Sequence, residues 1–195
     1  MLFDGEFATR LVALGRAATD QLPLAEAERH VHDVLNVFIE IVPTDTVKYE
    51  IDKESGAMVV DRFLHTAMYY PCNYGFIPHT LSEDGDPADV MVVGRRAVIP
   101  GCVLAARPVG VLIMEDDKGM DEKILAVPAT RLHPFYTDVV NYTDLPKILT
   151  DQIYHFFQHY KDLEHGKWVN IVGWEDKGFA EKLILEAVER YKKTA

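Results

Sequence analysis

The chain changes from a loop to a strand within Asp84-Gly85-Asp86-Pro87-Ala88-Asp89-Val90-Met91-Val92-Val93. Gly85 and Pro87 are poorly compatible with a regular helix or a central strand, so the acidic half of this stretch is predicted to be a loop. The apolar, largely β-branched run that follows is typical of a buried strand. The aspartates therefore stand at the entrance of a sheet, where a rigid framework can hold them in place.

Three carboxylates so close in sequence repel one another, and their pKa values rise unless cations hold them. The cations that suit such oxygen groups are hard ions, above all Mg²⁺. An ordinary turn is the competing interpretation, because Asp, Gly and Pro are common in turns. An EF-hand is excluded, because the fifth, sixth and twelfth positions counted from Asp84 are Ala88, Asp89 and Arg95, which do not match that loop.

Composition and charge limit the class of protein. The chain has 195 residues, which suits one domain with a good core. Its formal net charge of −11 argues against a nucleic-acid partner. No apolar run approaches the ~20 residues that span a bilayer, and acids stand near the N-terminus where a signal peptide has Lys or Arg. We expect a cytoplasmic protein without a membrane partner, in which Cys72 and Cys102 are buried free thiols.

Residues 1–36 are predicted to form an N-terminal helical arm, and residues 37–195 the main domain. From residue 37 the pattern changes to short strands, and an aromatic loop is predicted over 66–79. The predicted strands are 37–41, 47–52, 57–63, 90–94, 102–107, 109–115, 123–127 and 168–172. Helices are predicted at about 144–163, with Asp144 as N-cap, and at about 178–192. Many short strands followed by helices indicate an α+β fold, a small closed β-barrel with helices packed on it.

Polar side chains lie at unusual positions in these strands. Half the strand positions of a small barrel face inward, so many of these groups could converge at one mouth. Asp116 and Asp121 flank a predicted hairpin tip and are expected to face each other across it. Each of these side chains alone is more commonly a solvated surface charge. The set is Glu40, Glu50, Asp84, Asp86, Asp89, Asp116 and Asp121, with Lys48, Arg62, Lys123 and Lys161, and the phenols Tyr74 and Tyr160. Carboxylates for divalent ions, with Lys and Arg for phosphate oxygens, are the groups that phosphoryl transfer uses.

The order of several motifs closely resembles the soluble (family I) inorganic pyrophosphatases. The resemblance runs from about residue 37 to residue 192. The segments that carry it are KYEIDKESG (48–56), VDRF (60–63), YPCNYG (70–75), DGDPADV (84–90), RPVGV (107–111), HYKDLE (159–164) and GKWV (166–169).

This resemblance implies a five-stranded OB-like barrel with flanking helices, and hydrolysis of pyrophosphate to two phosphates with Mg²⁺. It places Asp84, Asp89 and Asp121 on the core metals and Asp116 on an additional one. Asp86 matches the carboxylate proposed as base for the attacking water. The positions that match phosphate-binding residues are Lys48, Arg62, Tyr74, Tyr160 and Lys161, with Lys123 nearby. Glu40 and Glu50 match acids at the edge of the site, and Glu50 is expected to reach the metal through water. Bacterial members are commonly hexamers, so the resemblance implies a homo-hexamer.

Elementary chemistry agrees with these roles. Two metals that flank one water can lower its pKa towards ~7, and Arg and Lys stabilise charge on the leaving phosphate. Two other classes remain open, a non-catalytic metal-binding module and an OB-type nucleic-acid binder. The net charge of −11 disfavours the nucleic-acid binder, because it would need a basic, aromatic face. The Lys, Arg and Tyr positions disfavour the metal-binding module, which has no use for phosphate ligands.

Overall fold

The computed structural model describes residues 34–52, 55–94 and 96–194. The helices predicted before residue 34 lie outside these residues. The strands are β1 (Leu35–Ile41), β2 (Val47–Ile51), β3 (Met58–Phe63), β4 (Asn73–Phe76), β5 (Asp89–Val92), β6 (Val103–Asp116), β7 (Gly119–Met120), β8 (Lys123–Pro128) and β9 (Val169–Asp176). The α-helices are α1 (Lys147–His159) and α2 (Lys177–Thr194), and short 3₁₀ helices span Pro134–Tyr136 and Tyr142–Asp144.

The larger sheet is mixed. β1 pairs antiparallel with both β4 and β6, β4 pairs antiparallel with β5, and β8 pairs antiparallel with β6. β5 and β8 pair in parallel, so the hydrogen-bonded order runs β1–β4–β5–β8–β6 and returns to β1. β7 and β9 pair with β6, while β2 and β3 form a separate hairpin. Over the described residues, the fold is therefore a sheet-dominated α+β arrangement with two α-helices, as the sequence predicts at this level.

The core lies on both faces of β5. Val90 and Val92 belong to one buried cluster that includes Ala180, Ile184 and Ala187 of α2. Met91 and Val93 belong to a second buried cluster, which includes Ile153, Phe156 and Phe157 of α1. A strand buried on both faces needs a continuous apolar run rather than alternation, which explains the run after the acidic loop. Neither α-helix of the described chain is long and apolar enough to cross a membrane.

Two strand predictions are wrong. The strands predicted at 102–107 and 109–115 are one fourteen-residue strand, β6, whose pairing with β8 shifts register between Pro108 and Gly110. A shift of register accommodates Pro108, which has no N–H to donate, without ending the strand. The segment predicted as an aromatic loop contains β4, which pairs with both β1 and β5.

The predicted cap and end of the first helix are also wrong. α1 begins at Lys147 rather than at Asp144, and it ends at His159 rather than near residue 163. The carboxylate of Asp144 instead accepts hydrogen bonds from the backbone N–H groups of Val140 and Asn141. It closes a capping box around the short 3₁₀ helix that precedes α1. Cys102 is only partly buried, whereas Cys72 is buried as predicted, and both thiols are free.

Asp116 and Asp121 do not face each other across the hairpin. Asp116 pairs with Gly119, and the N–H of Asp121 donates to the carbonyl of Met114. Gly119 has φ +124°, which suits glycine and allows a tight connection of only Asp117 and Lys118. The tip is therefore shorter than predicted, and the two carboxylates have different neighbours.

Gly75 lies on β4 opposite Ile39 of β1, close to the backbone of that strand. A Cβ at this position would overlap the carbonyl oxygen of Phe38 and lie 2.8 Å from its carbonyl carbon. We expect Gly75→Ala to lower the free energy of unfolding by about 1–3 kcal/mol or more, because backbone atoms cannot move aside locally. Gly94→Ala is the matched control, since its Cβ would lie 3.4 Å from Asn73 Nδ2. Urea unfolding curves measure both, and equal losses would contradict the expectation.

Candidate active site

A cleft of about 850 Å³ opens beside the acidic loop. Its walls come from β1, β2, β4 and the chain between β4 and β5, and from the C-terminal end of α2. The predicted site residues that line it are Glu40, Lys48, Glu50, Tyr74, Asp86 and Asp89. Strands of the larger sheet and of the separate β2–β3 hairpin thus bring acids, a lysine and a phenol to one place.

Lys123 lies between two of the predicted metal ligands. The parallel register of β5 and β8 places Asp89 directly opposite Lys123. The Lys123 Nζ donates to Asp89 Oδ2 at 2.5 Å and also to Asp121. Burial works against the charge of this lysine, which is 3% exposed, but the carboxylates of Asp89 and Asp121 outweigh it and raise its pKa well above the ordinary value. The ammonium therefore stays charged and compensates both acids.

A second buried ion pair joins the turn after α1 to the end of β6. Lys161 Nζ donates to Asp116 Oδ2 at 2.5 Å, and the Lys118 N–H donates to Asp116 Oδ1 at 2.7 Å. Burial alone would raise the pKa of Asp116, but these hydrogen bonds hold it below the ordinary value. Asp116 is thus a fixed anion whose neighbours differ from those of Asp121.

The acidic loop brings its carboxylates close to one another and to β8. Asp84 Oδ1 accepts a hydrogen bond from the Asp86 N–H at 3.0 Å, an Asx turn that shapes the loop. Burial raises the pKa of Asp84, and the charges of Asp86, Asp121 and Asp89 raise it further, against the hydrogen bond from Asp86. These acids are therefore near enough to repel one another, as the sequence predicts for the loop.

Of the two predicted phenols, Tyr74 lines the cleft and Tyr160 does not. Tyr74 and Tyr160 are buried, and Tyr70, which the sequence reasoning did not select, packs beside Tyr74 with ring centroids 5.5 Å apart. Burial raises the pKa of all three hydroxyls above the ordinary value. They stay protonated at neutral pH and can act as hydrogen-bond donors.

Glu40 and Glu50 both line the cleft, but they differ in burial. Glu40 is buried on β1 and accepts a hydrogen bond from the Ile51 N–H at 2.9 Å, which ties β1 to β2. Burial raises the pKa of Glu40 to about 8. Glu50 is half-exposed and forms an ion pair with Lys48, two residues earlier on the same face of β2.

Arg62 lies on β3 and is held by two acids that sequence reasoning missed. Its Nη1 lies 2.8 Å from Asp61 Oδ2, and its Nε lies 3.0 Å from Glu164 Oε1. Burial lowers the pKa of Arg62, but Glu164 and Asp61 more than offset this and leave it raised. Asp61 could have been predicted as a partner of Arg62, because it is the preceding residue. The pairing with Glu164 had no local signal, because it joins segments about a hundred positions apart.

The chemistry of the donor set fits a hard divalent cation. Within the three described stretches of chain, no three Asp, Glu, His or Cys side chains converge on one point, and lysine ammonium groups take up several of the acids instead. The acids near the loop nevertheless offer carboxylate oxygens, and the repulsion around Asp84 is the kind that a divalent cation relieves.

Comparisons with known proteins agree with the motifs. A family model described as inorganic pyrophosphatase matches residues 37–192. An inorganic pyrophosphatase from Agrobacterium fabrum is 61% identical over 161 residues, 82% of this chain and 91% of that protein. One from Caulobacter vibrioides is 62% identical over 161 residues, with the same two shares. The chain belongs to the inorganic pyrophosphatase family.

The fold agrees with solved members of the inorganic pyrophosphatase family. The structure of the Helicobacter pylori inorganic pyrophosphatase superposes with a TM-score of 0.81 at 49% identity, covering 83% of this chain and 95% of that one. The family model begins within β1 and ends within α2, so both helices that pack on the sheet belong to the shared fold. The family resemblance predicted from the sequence is confirmed.

The Asp116–Lys161 pair allows a test of the charge balance in this pyrophosphatase fold. Without metal, Lys161→Met should lower the free energy of unfolding by about 3 kcal/mol at pH 7, because it leaves Asp116 buried and unpaired. The lowered pKa of Asp116 stabilises the folded state above the pKa of the unfolded carboxyl and ceases to do so as the pH falls through the folded value. The loss of unfolding free energy caused by Lys161→Met should therefore become smaller below about pH 4.

Lys147→Met is the control, because the Lys147–Asp151 pair lies on the exposed face of α1. Its expected change is within about 0.5 kcal/mol at either pH. Chemical unfolding in chelator at pH 7 and at about pH 3 gives the four values. A deficit for Lys161→Met that does not depend on pH would argue against the charge explanation.

Proposed function

We propose that this chain hydrolyses inorganic pyrophosphate to two orthophosphates, with Mg²⁺ as cofactor and water as nucleophile. The observation that carries this proposal is the meeting of the acidic loop with Lys48 and Tyr74 at one cleft, where buried Lys123 donates to the cleft residue Asp89, in a member of the inorganic pyrophosphatase family. Acids can bind the metal ions that accompany pyrophosphate, while lysine, arginine and phenol groups bind its phosphate oxygens.

We assign the metal ligands by their chemistry and by the family motif. Asp84, Asp89 and Asp121 would hold the core Mg²⁺ ions, and Asp116 an additional ion. Glu40 and Glu50 would stand at the edge of the site, Glu50 acting through water. When bound, Mg²⁺ neutralises phosphate charge and makes a coordinated water more acidic.

The other side chains handle the proton and the phosphates. Asp86 would accept the proton of the attacking water, because it lies in the loop between two metal-binding aspartates. Lys48, Arg62 and Lys161 would bind phosphate oxygens as cations, and Tyr74 and Tyr160 as neutral donors. The raised pKa values of both phenols support this, since a phenolate would repel the substrate. Lys123 would keep Asp89 and Asp121 together and add positive charge near the leaving phosphate.

We further propose that five strands of this fold form a closed OB-like barrel with flanking helices. The return of the strand pairing from β6 to β1 supports closure. We assign residues 37–195 to the catalytic domain and residues 1–36 to an arm, and the match over 37–192 supports this boundary. A homo-hexamer follows from the resemblance to bacterial members.

The setting in the cell is also a proposal. Two free cysteines favour the reducing cytoplasm, where thiols are not oxidised to disulfides. The net charge of −11 speaks against a nucleic-acid partner, and we expect no membrane partner. Pyrophosphate is the substrate, and other copies of the same chain are the expected protein partners.

Phosphate release from pyrophosphate should require Mg²⁺ and should stop when a chelator is in excess. Ca²⁺ should bind to the same site but support little turnover, because it is larger and tolerates irregular geometry while the reaction needs a closely placed water. A colorimetric phosphate assay at saturating concentrations of each ion measures both. Full activity in excess chelator would overturn the metal assignment, and equal rates with the two ions would contradict the geometric argument.

Asp86→Asn separates the base from the metal ligands. It keeps size and shape but removes the proton acceptor, so turnover should fall by ~10²–10⁴-fold while Mg²⁺ still binds. Asp84→Asn is the matched variant two residues earlier in the same loop, and it should weaken Mg²⁺ binding instead, so that excess Mg²⁺ partly restores its activity. Rates measured across Mg²⁺ concentrations distinguish the two. Recovery of the Asp86 variant at high Mg²⁺ would show that the roles are wrongly assigned.

A further inference from the structure

We propose that the C-terminal end of α2 positions the acidic loop, with Arg190 as the principal positioning residue; this inference rests on the function proposed above. The acids of the site are supported in two ways. Asp89 is the first residue of β5, and Asp121 lies two residues before Lys123, the first residue of β8. The sheet therefore holds both aspartates in place. Asp84 and Asp86 lie in the loop, and their placement must come from what holds the loop.

The loop is tied across its base to the chain just before it. The Ser82 N–H donates to the Asp86 carbonyl at 2.7 Å. The Ala88 N–H donates to the Thr80 hydroxyl at 2.9 Å, and that buried hydroxyl donates in turn to the Ile77 carbonyl at 2.6 Å. Because Asp86 and Ala88 are each bonded to the segment 80–82, the loop moves with that segment.

Segment 80–82 is in turn fastened to α2. Leu81 uses both of its backbone groups for this purpose. Its N–H donates to the Ala187 carbonyl at 3.0 Å, and its carbonyl accepts a hydrogen bond from Arg190 Nε at 2.8 Å. Ala187 and Arg190 are three residues apart and therefore lie on one face of the helix. Ala187 and Arg190 thus hold Leu81 by its N–H and its carbonyl, respectively.

A second contact lies one residue further along the helix. His79 has φ +61°, a left-handed conformation that is uncommon outside glycine and persists where the surroundings impose it. Its ring meets that of Tyr191 edge-on with centroids 5.4 Å apart, and its Nδ1 lies 3.3 Å from the Tyr191 hydroxyl. Tyr191 and Thr194 line the same cleft as Asp86 and Asp89. The helix end is therefore a wall of the candidate active site as well as an anchor for its loop.

A chain of hydrogen bonds thus leads from Arg190 through Leu81 and Ser82 to Asp86. Groups that orient metal ligands typically contribute 10–100-fold to metal affinity, and misplacement of a base by an ångström costs rate. Loss of the Arg190 contact should free Leu81 and, with it, the loop that carries Asp84 and Asp86. Asp89 and Asp121 should stay in place, since the sheet and Lys123 hold them.

Arg190→Met tests this in the full-length chain, because it keeps the aliphatic stem but removes the donor. Calorimetric titration with Mg²⁺ alone should show about tenfold weaker binding, the lower end of the effect of losing a group that orients a ligand. Arg190→Lys keeps a cationic donor and should recover part of the affinity. Lys182→Met, an exposed position on the same helix, is the matched control and should bind Mg²⁺ as the wild type does.

Hydrogen–deuterium exchange separates positioning from general stability. In Arg190→Met without metal, the amides of residues 82–86 and of Ala88 should exchange faster while those of β8 keep their protection. Faster exchange throughout the chain, or Mg²⁺ binding equal to that of Lys182→Met, would overturn the inference. If the wild type binds Mg²⁺ but does not hydrolyse pyrophosphate, the proposed function fails. The titration and the exchange experiment then still decide whether α2 positions the loop.

Discussion

The site depends on one constraint, the repulsion among carboxylates that the fold gathers beside a single cleft. Burial raises the pKa of Asp84, and the nearby charges of Asp86, Asp121 and Asp89 raise it further. Such a cluster is unfavourable for folding unless positive charge compensates it. Lys123 supplies part of that charge from inside the protein, because it is buried between Asp89 and Asp121. Divalent cations are the natural source of the rest.

Lysine side chains also compensate the negative charge of other acids in the site. Lys161 fixes Asp116, and Lys48 pairs with Glu50, so cations suited to phosphate already stand beside acids suited to metal. A substrate that arrives with its own metal ions brings both kinds of charge. In the function proposed above, the acids would bind metal in place of lysine, and the lysines would bind phosphate in place of carboxylate.

Some side chains of the site are held by the sheet and the core, and others are held only by a loop. The sheet places Asp89 and Lys123 by strand register, and buried packing around Phe156 places Tyr70 and Tyr160. The acidic loop depends instead on a few hydrogen bonds to the segment before it and, through Leu81, on α2. Strand register is cooperative with the whole sheet, whereas the loss of one side-chain hydrogen bond affects a loop locally. The acids of the loop are therefore the part of the site whose geometry can be changed from a distance.

The sequence by itself determined the acidic loop, the buried strand after it, the family and most helix and strand positions, because these depend on local spacing and residue type. Three predictions failed because backbone geometry decides them. The start of α1 depends on its cap, and β4 depends on the close contact of Gly75 with β1. Asp116 does not face Asp121 because the hairpin tip has only two residues. Only the tertiary structure decided that Lys123 lies between two aspartates, that Glu164 holds Arg62, and that Arg190 reaches Leu81. Contacts between residues far apart in the chain follow from strand pairing and helix packing, which no local pattern encodes.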